Sequence, residues 1–173
     1  MHTIDRLSAD AFSDSVDDLA DLLAHTVEGG ASLGFLSPFD HASAVTWWHA
    51  QAPAVAGGDL AVWACRGTAR IDATISLALV RKPNGRHRAE IVKLMVRRDA
   101  RGQGLARALL ATAEQAAIDA GVTLLLLDTE AGSPAEHLYL ADGWTRYGIV
   151  PGYAADPGGA LQDCSFFYKR LGA

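Results

Sequence analysis

The most restrictive feature of this chain is a strand-like run that ends in a glycine-punctuated turn and restarts as a helix. Ala89-Glu90-Ile91-Val92-Lys93-Leu94-Met95-Val96 reads as a strand, Arg101-Gly102-Gln103-Gly104-Leu105-Ala106 as a turn, and Leu105, Leu109, Ala113 and Ala116 recur at helical spacing up to Gly121. Such a unit gathers backbone N–H groups at a helix start, where the helix dipole favours an anion, and glycine lets a bulky phosphate come close. The other use of a Gly-x-Gly is a plain tight connection. No Gly-Lys-Ser/Thr follows the turn and no Gly-x-Gly-x-x-Gly follows the first strand, so neither a P-loop nor a dinucleotide fingerprint is present.

The remaining elements fall around this unit. Phe12, Val16, Leu19, Leu23 and Val27 predict one helix, capped by Ser8 or Asp10, and the glycines of 28–34 break it before a second helix over His41 to Ala52. Leu60 to Cys65 and Ile71 to Val80 suit a hairpin, and Lys82-Pro83-Asn84-Gly85 supplies the next turn. Leu124 to Leu127 is a continuous apolar run ending in Asp128, as in a strand covered on both faces. Ser133-Pro134 opens a short helix through Leu140, and Trp144 to Val150 and Ser165 to Leu171 are late strands. The order predicts an α/β (α+β) fold around one sheet, and 173 residues predict a single domain over 1–173.

Charge and composition exclude several classes. A net charge of -5 argues against nucleic acid or anionic membrane as partner. No apolar run approaches the roughly 20 residues that span a bilayer, and the first residues have neither the basic start nor the apolar middle of a signal peptide, so a cytoplasmic location is expected. Cys65 and Cys164 lack ligand or redox spacing and read as small buried residues, and His25, His41, His49, His87 and His137 lack it too, so no metal is expected. Nine of the fifteen basic residues (Arg81, Lys82, Arg86, Arg88, Lys93, Arg97, Arg98, Arg101 and Arg107) lie within one segment, which is either a solvated rim or a site for a small polyanion.

Arg-Gly-Gln-Gly-Leu-Ala at 101–106 resembles the Gln/Arg-x-x-Gly-x-Gly/Ala signature of the GNAT superfamily of N-acetyltransferases, in spacing and in its place between strand and helix. The preceding strand and Leu138-Tyr139-Leu140-Ala141-Asp142-Gly143-Trp144 resemble the neighbouring motifs of that superfamily. Val27 to Phe35, Lys82 to Gly85, Leu127 to Ser133 and Pro151-Gly152-Tyr153 are similar to its tabtoxin-resistance acetyltransferases, which act on an amine of a β-lactam toxin. The resemblance implies a mixed, twisted sheet flanked by helices, with acetyl-coenzyme A as co-substrate. Backbone groups of Leu94, Met95 and Val96 would pair with the pantetheine arm, and Arg101, Gly102, Gln103, Gly104, Leu105 and Ala106 would hold the pyrophosphate. Where many members carry Asn, this chain has Gly132, with Ser133 beside it as a replacement contact.

Attack of an amine on a thioester needs a neutral nucleophile and a proton for the departing sulfur. Glu90 falls on a strand face with Val92, Leu94 and Val96 by alternation; a salt bridge and a general base are both open to it, and the resemblance implies the base. Asp128, at the end of a buried strand, either orients the substrate ammonium, shares the base's task, or caps the following loop. Tyr139 is either a core aromatic or, by resemblance, the acid for the sulfur. Phe35, Trp47-Trp48 and Tyr153 serve as packing, lid or acceptor pocket. The expectation is acetyl transfer to a primary amine of a small molecule such as an antibiotic or toxin, by direct attack in a ternary complex, in a monomer or homodimer. The alternatives are an amino acid, polyamine or protein acceptor, or a module that senses acyl-coenzyme A without turnover.

Overall fold

A computed structural model describes residues 2–172. Seven strands form one mixed sheet in the order β1-β2-β3-β4-β5-β7-β6. They are β1 (Thr3–Arg6), β2 (Leu60–Arg66), β3 (Ile71–Leu79), β4 (Arg88–Val96), β5 (Leu124–Glu130), β6 (Thr145–Ala155) and β7 (Leu161–Arg170). Among the described residues five α-helices cover it: α1 (Ala9–Asp14), α2 (Val16–Glu28), α3 (His41–Ala56), α4 (Leu105–Asp119) and α5 (Pro134–Ala141). All neighbouring strands are antiparallel except β4 and β5, whose connection runs through α4 as a parallel crossover requires.

Each face of the sheet has its own core. On one side Leu105, Leu109, Leu110, Ala113 and Ala117 of α4 pack with Ile75, Ala89, Ile91, Leu125, Leu127 and Phe167, and Tyr139 of α5 joins them. On the other, Phe12, Leu19, Leu22, Leu23 and Trp48 of α1 to α3 cover Val62, Ala64, Ile71 and Met95. The second cover extends over β2 to β4 only, so the β5–β7–β6 end of that face stays open, with Tyr147 and Tyr153 exposed.

The predicted elements are present, with four differences. The leucine run 124–127 is covered on one face only: Leu125 and Leu127 are buried under α4, while Leu124 and Leu126 are half-buried on the face that α1 to α3 do not reach. The single helix over 12–27 is two: Ser15, whose hydroxyl donates to Ala11 O (2.6 Å) and accepts from Arg66 Nη2 (2.6 Å), separates α1 from α2. The first strand, β1, is an edge strand too short to show a period, and it exists through its pairing with β2. The late strands are longer than predicted, because two register shifts in β6 carry it past Pro151 and Gly152. Ser8, Asp40 and Ser133 cap α1, α3 and α5, accepting from Ala11 N (3.2 Å), Ser43 N (2.8 Å) and Glu136 N (3.2 Å).

Candidate active site

The central strands separate where the chemistry falls. β4 and β5 pair only through Arg88, Ala89 and Glu90 against Leu124, Leu125 and Leu126, although both strands continue. Beyond Glu90 the sheet opens into a gap between Ile91–Val96 and Leu127–Glu130. On its far side β4 still pairs with β3, Met95 opposite Thr74 and Val96 opposite Ala73. Arg97 N donates to Asp72 O at 2.8 Å, so ladder alternation turns the N–H and C=O of Val96 into the gap.

The turn after β4 lies at the gap. Gly102 and Gly104 both adopt φ +78°, left-handed backbone that glycine takes at no steric cost, and Gly104 is the N-cap of α4. Among the described residues the six N–H groups from Gly102 to Arg107 have no acceptor; the first helical bond runs from Ala108 N to Gly104 O at 3.0 Å. Consecutive unclaimed donors at the positive end of a fifteen-residue helix are the chemistry a pyrophosphate requires, so these residues fit the group. Leu105 is buried in the α4-side core, Ala106 half-buried, and Arg101, Gly102, Gln103 and Gly104 are exposed. Arg101 reaches back, its Nε donating to Val96 O at 3.4 Å.

The basic segment does not act as one cluster. Arg97 is buried and ion-paired with Asp21 while its Nε donates to Ile71 O (3.0 Å), and Arg81 pairs with Asp59. Lys93 turns away from the turn to Phe35 and Trp47. Only Arg98, Arg101 and Arg107 border the turn in the chain, and Arg107 also approaches Asp142 (3.7 Å).

Glu90 corrects the alternation argument. Between Thr74 and Ser76 the β3–β4 register slips, giving β4 an extra residue, and Lys93 takes a left-handed φ of 53° there. This bulge reverses the faces: Ala89, Ile91, Leu94 and Val96 meet the α4-side core, while Val92 and Met95 meet the other. Glu90 therefore shares its side with Val92 and Met95, not with Leu94 and Val96. It is also exposed, and among the described residues it makes no ion pair. The protein around it still removes part of its hydration, which raises its pKa; the Asp128 charge raises it further and Lys93 opposes both.

Asp128 is the electrostatic centre of the site. Its carboxylate accepts from Cys164 Sγ at 3.3 Å, and its charge acts on Glu90, Lys93, Tyr139 and Cys164. It does not cap the 129–133 loop; that is done from α5. Glu136 Oε2 accepts from Gly132 N (2.5 Å), and its Oε1 accepts from Ser165 Oγ (2.6 Å) and Arg146 Nη1 (2.9 Å), which together hold its pKa down at about 2. Ser133 Oγ caps α5 and lies 3.4 Å from Thr129 Oγ1, so much of its capacity is already engaged. The Cys164 thiol is pushed up to about 12, by burial first and then by Asp128, which removes it as a nucleophile near neutral pH.

Tyr139 lies across the gap in the other core, its ring 5.9 Å from those of both Trp144 and Phe167. Its hydroxyl makes no hydrogen bond among the described residues and keeps some accessible surface. Burial and the Asp128 charge push its pKa upward, so it stays a neutral donor.

Residues from the α2–α3 loop close one flank. Ser32 Oγ donates to Ala155 O (3.4 Å) and Ser37 N to Pro157 O (2.8 Å), strapping the loop to the β6–β7 hairpin. Phe35 stacks on Phe39 (4.3 Å) and against Trp47 (5.5 Å), while Trp48 is core. Tyr153 is exposed on β6 with its ring at 90° to Phe166. Lys93, which the sequence did not single out as a site residue, lies over Phe35 and Trp47 with Nζ 5.4 and 5.1 Å from the ring centres. The signal for it, a positive-φ bulge, carries no glycine to betray it. Among the described residues no three His, Cys, Asp or Glu side chains are grouped to hold a metal.

The sequence and the fold have known counterparts. The sequence model of the Acetyltransferase (GNAT) family matches residues 33–144, and the chain belongs to that family. It is an acetyltransferase that uses acetyl-coenzyme A. Solved structures share the fold. YncA of Salmonella typhimurium, solved with its cofactor acetyl-CoA, has TM-score 0.78 at 18% identity, over 100% of this chain and 95% of that one. A ribosomal-protein-alanine N-acetyltransferase of Brucella melitensis gives 0.75 at 21%, over 98% and 99%. A protein named as a candidate phosphinothricin N-acetyltransferase gives 0.77 at 17%, over 100% of both chains. Among the described residues no helix is long and apolar enough to cross a membrane.

Proposed function

We propose that this chain, acting as one domain over 1–173 in the cytoplasm, acetylates the primary amine of a small molecule by direct attack in a ternary complex. The observation that carries the reading is the convergence of Glu90, Asp128 and Tyr139 on one gap, linked through the Asp128 charge. Acetyl-coenzyme A supplies the acetyl group as a thioester when bound. The N–H groups of 102–107 suit its pyrophosphate, and the backbone of Val96, turned into the gap, suits its pantetheine arm with Leu94 beside it; Met95, expected to share that contact, has its backbone turned to β3 instead. Ser133, already a helix cap, is at most an auxiliary contact.

Glu90 and Asp128 hold the acceptor's ammonium, and Glu90, with its raised pKa, takes the proton that frees the lone pair. Tyr139 gives a proton towards the departing sulfur. Phe35 and Tyr153 flank the acceptor. A cleft strapped on one side by the 29–40 loop favours a compact amine over a folded protein surface, and the sequence likeness to tabtoxin-resistance enzymes points the same way, towards a toxin or antibiotic amine. The likeness to the ribosomal-protein-alanine N-acetyltransferase supports a protein acceptor as the second reading. No nucleic acid or membrane is required, and the chain acts as a monomer or homodimer. The test is release of free thiol across a library of small amines and N-terminal peptides. Turnover on peptides alone would reject the small-molecule acceptor, and binding of acetyl-coenzyme A without turnover on any amine would leave a sensing module.

A further inference from the structure

We infer that Lys93 is a specificity residue that binds an anionic group on the acceptor, so that the preferred amines carry a carboxylate or a similar acidic group. The inference rests on the proposed small-molecule acetylation and deepens it. An unbroken β4 would send Lys93 into the α4-side core with Ile91. The bulge instead turns it to the acceptor side, and a non-glycine residue is held at φ 53° to achieve this. Left-handed backbone in a residue of this type is uncommon and is retained where its surroundings enforce it.

At that position Lys93 is half-buried, and its ammonium lies over Phe35 and Trp47 and donates to Leu33 O at 2.9 Å. No carboxylate lies within ion-pair distance of it among the described residues. An ammonium has three donors and only one is engaged. Burial lowers the pKa of Lys93, and the charges of Asp128 and Glu90 act to keep it protonated. The cleft is thus bipolar: two carboxylates where an amine must lie, and one incompletely satisfied cation set in an aromatic wall. A zwitterionic molecule of amino-acid type satisfies both ends, its ammonium at Glu90 and Asp128 and its carboxylate at Lys93.

The experiment compares matched acceptors: lysine, methionine and 4-aminobutyrate, each against its carboxamide. The readouts are kcat/KM for acetyl transfer and the dissociation constant by calorimetry with coenzyme A present. Wild type is expected to prefer at least one acid over its amide by about tenfold or more, the usual scale of a charge-assisted hydrogen bond. Lys93→Met keeps the stem over the rings and should bring that ratio near one, while Lys93→Arg should keep most of it. Equal use of acid and amide by wild type overturns the inference even if Lys93→Met does not fold. An unchanged ratio in a folded Lys93→Met does the same, and both outcomes leave small-molecule acetylation standing. If only N-terminal peptides are acetylated, the functional reading and this inference fall together.

Discussion

Gly104→Val separates the fold from the ligand site. A Cβ at Gly104 would meet nothing within 4 Å, so the cost to the free protein is conformational rather than steric. A side chain held in left-handed backbone costs about 1–2 kcal/mol, a fall of about 2–8 °C in Tm for a chain of this length. The effect on the ligand is larger, because the valine stands over the unclaimed amides of 102–107. With acetyl-coenzyme A at about a hundred times Kd, wild type gains about 2.7 kcal/mol, which raises Tm by about 5–11 °C. A hundredfold loss of affinity reduces the gain at the same concentration to about 0.4 kcal/mol, a rise of about 1 °C. Thermal melts with and without ligand, followed by calorimetry, read both effects. A variant that melts lower alone yet keeps the full ligand-induced rise refutes the assignment of the pyrophosphate to this turn.

Glu90→Gln should lower turnover at neutral pH and abolish the ascending limb of the pH–rate profile; in wild type that limb should lie above the ordinary glutamate value of 4.5, since desolvation and Asp128 raise the Glu90 pKa. A limb that survives the substitution moves the base to Asp128. Tyr139→Phe keeps the packed ring, so Tm should hardly change, while single-turnover transfer slows by about 10²-fold, the low end for general acid help; transfer at the wild-type rate returns Tyr139 to packing alone. Glu136 is depressed to about 2, so its contribution to stability is complete above the unfolded value near 4.5 and is lost as pH falls through about 2. Acid melts of Glu136→Gln should therefore be flatter than wild type across that window, and parallel curves would contradict the buried network with Ser165 and Arg146.

Local chemistry made much of the fold legible. The strand–turn–helix at 89–119, the Ser133-Pro134 helix start and the leucine run into Asp128 each rest on neighbouring residues, and each is present. What the sequence hid depends on distant partners. β1 owes its existence to β2, and the break at Ser15 coincides with a hydrogen bond from Arg66, fifty-one positions away. The faces of β4 were misassigned because alternation assumes an unbroken strand, and Lys93 is not a residue that announces a bulge. The run of basic residues looked like one patch because adjacency in sequence says nothing of direction; Arg97 turns inward to Asp21, Arg81 to Asp59 and Lys93 to the aromatic wall. The strap from the 29–40 loop to β6–β7 joins segments more than a hundred residues apart, which no local pattern records.

The early parting of β4 from β5 leaves two rafts, β1–β4 and β5–β7–β6, joined edge to edge by three residue pairs. The coenzyme arm lying along the vacant edge would then act as part of the architecture, completing hydrogen bonds that the protein leaves open. Amides bordering that seam, Val96 first, should exchange with deuterated solvent readily in the free enzyme and slow when the seam is filled, whereas those of Met95 and Arg97, bonded to β3, should hardly respond. Loading with acetyl donor and stiffening of the molecule would be one event, with the two halves free to breathe against each other between turnovers.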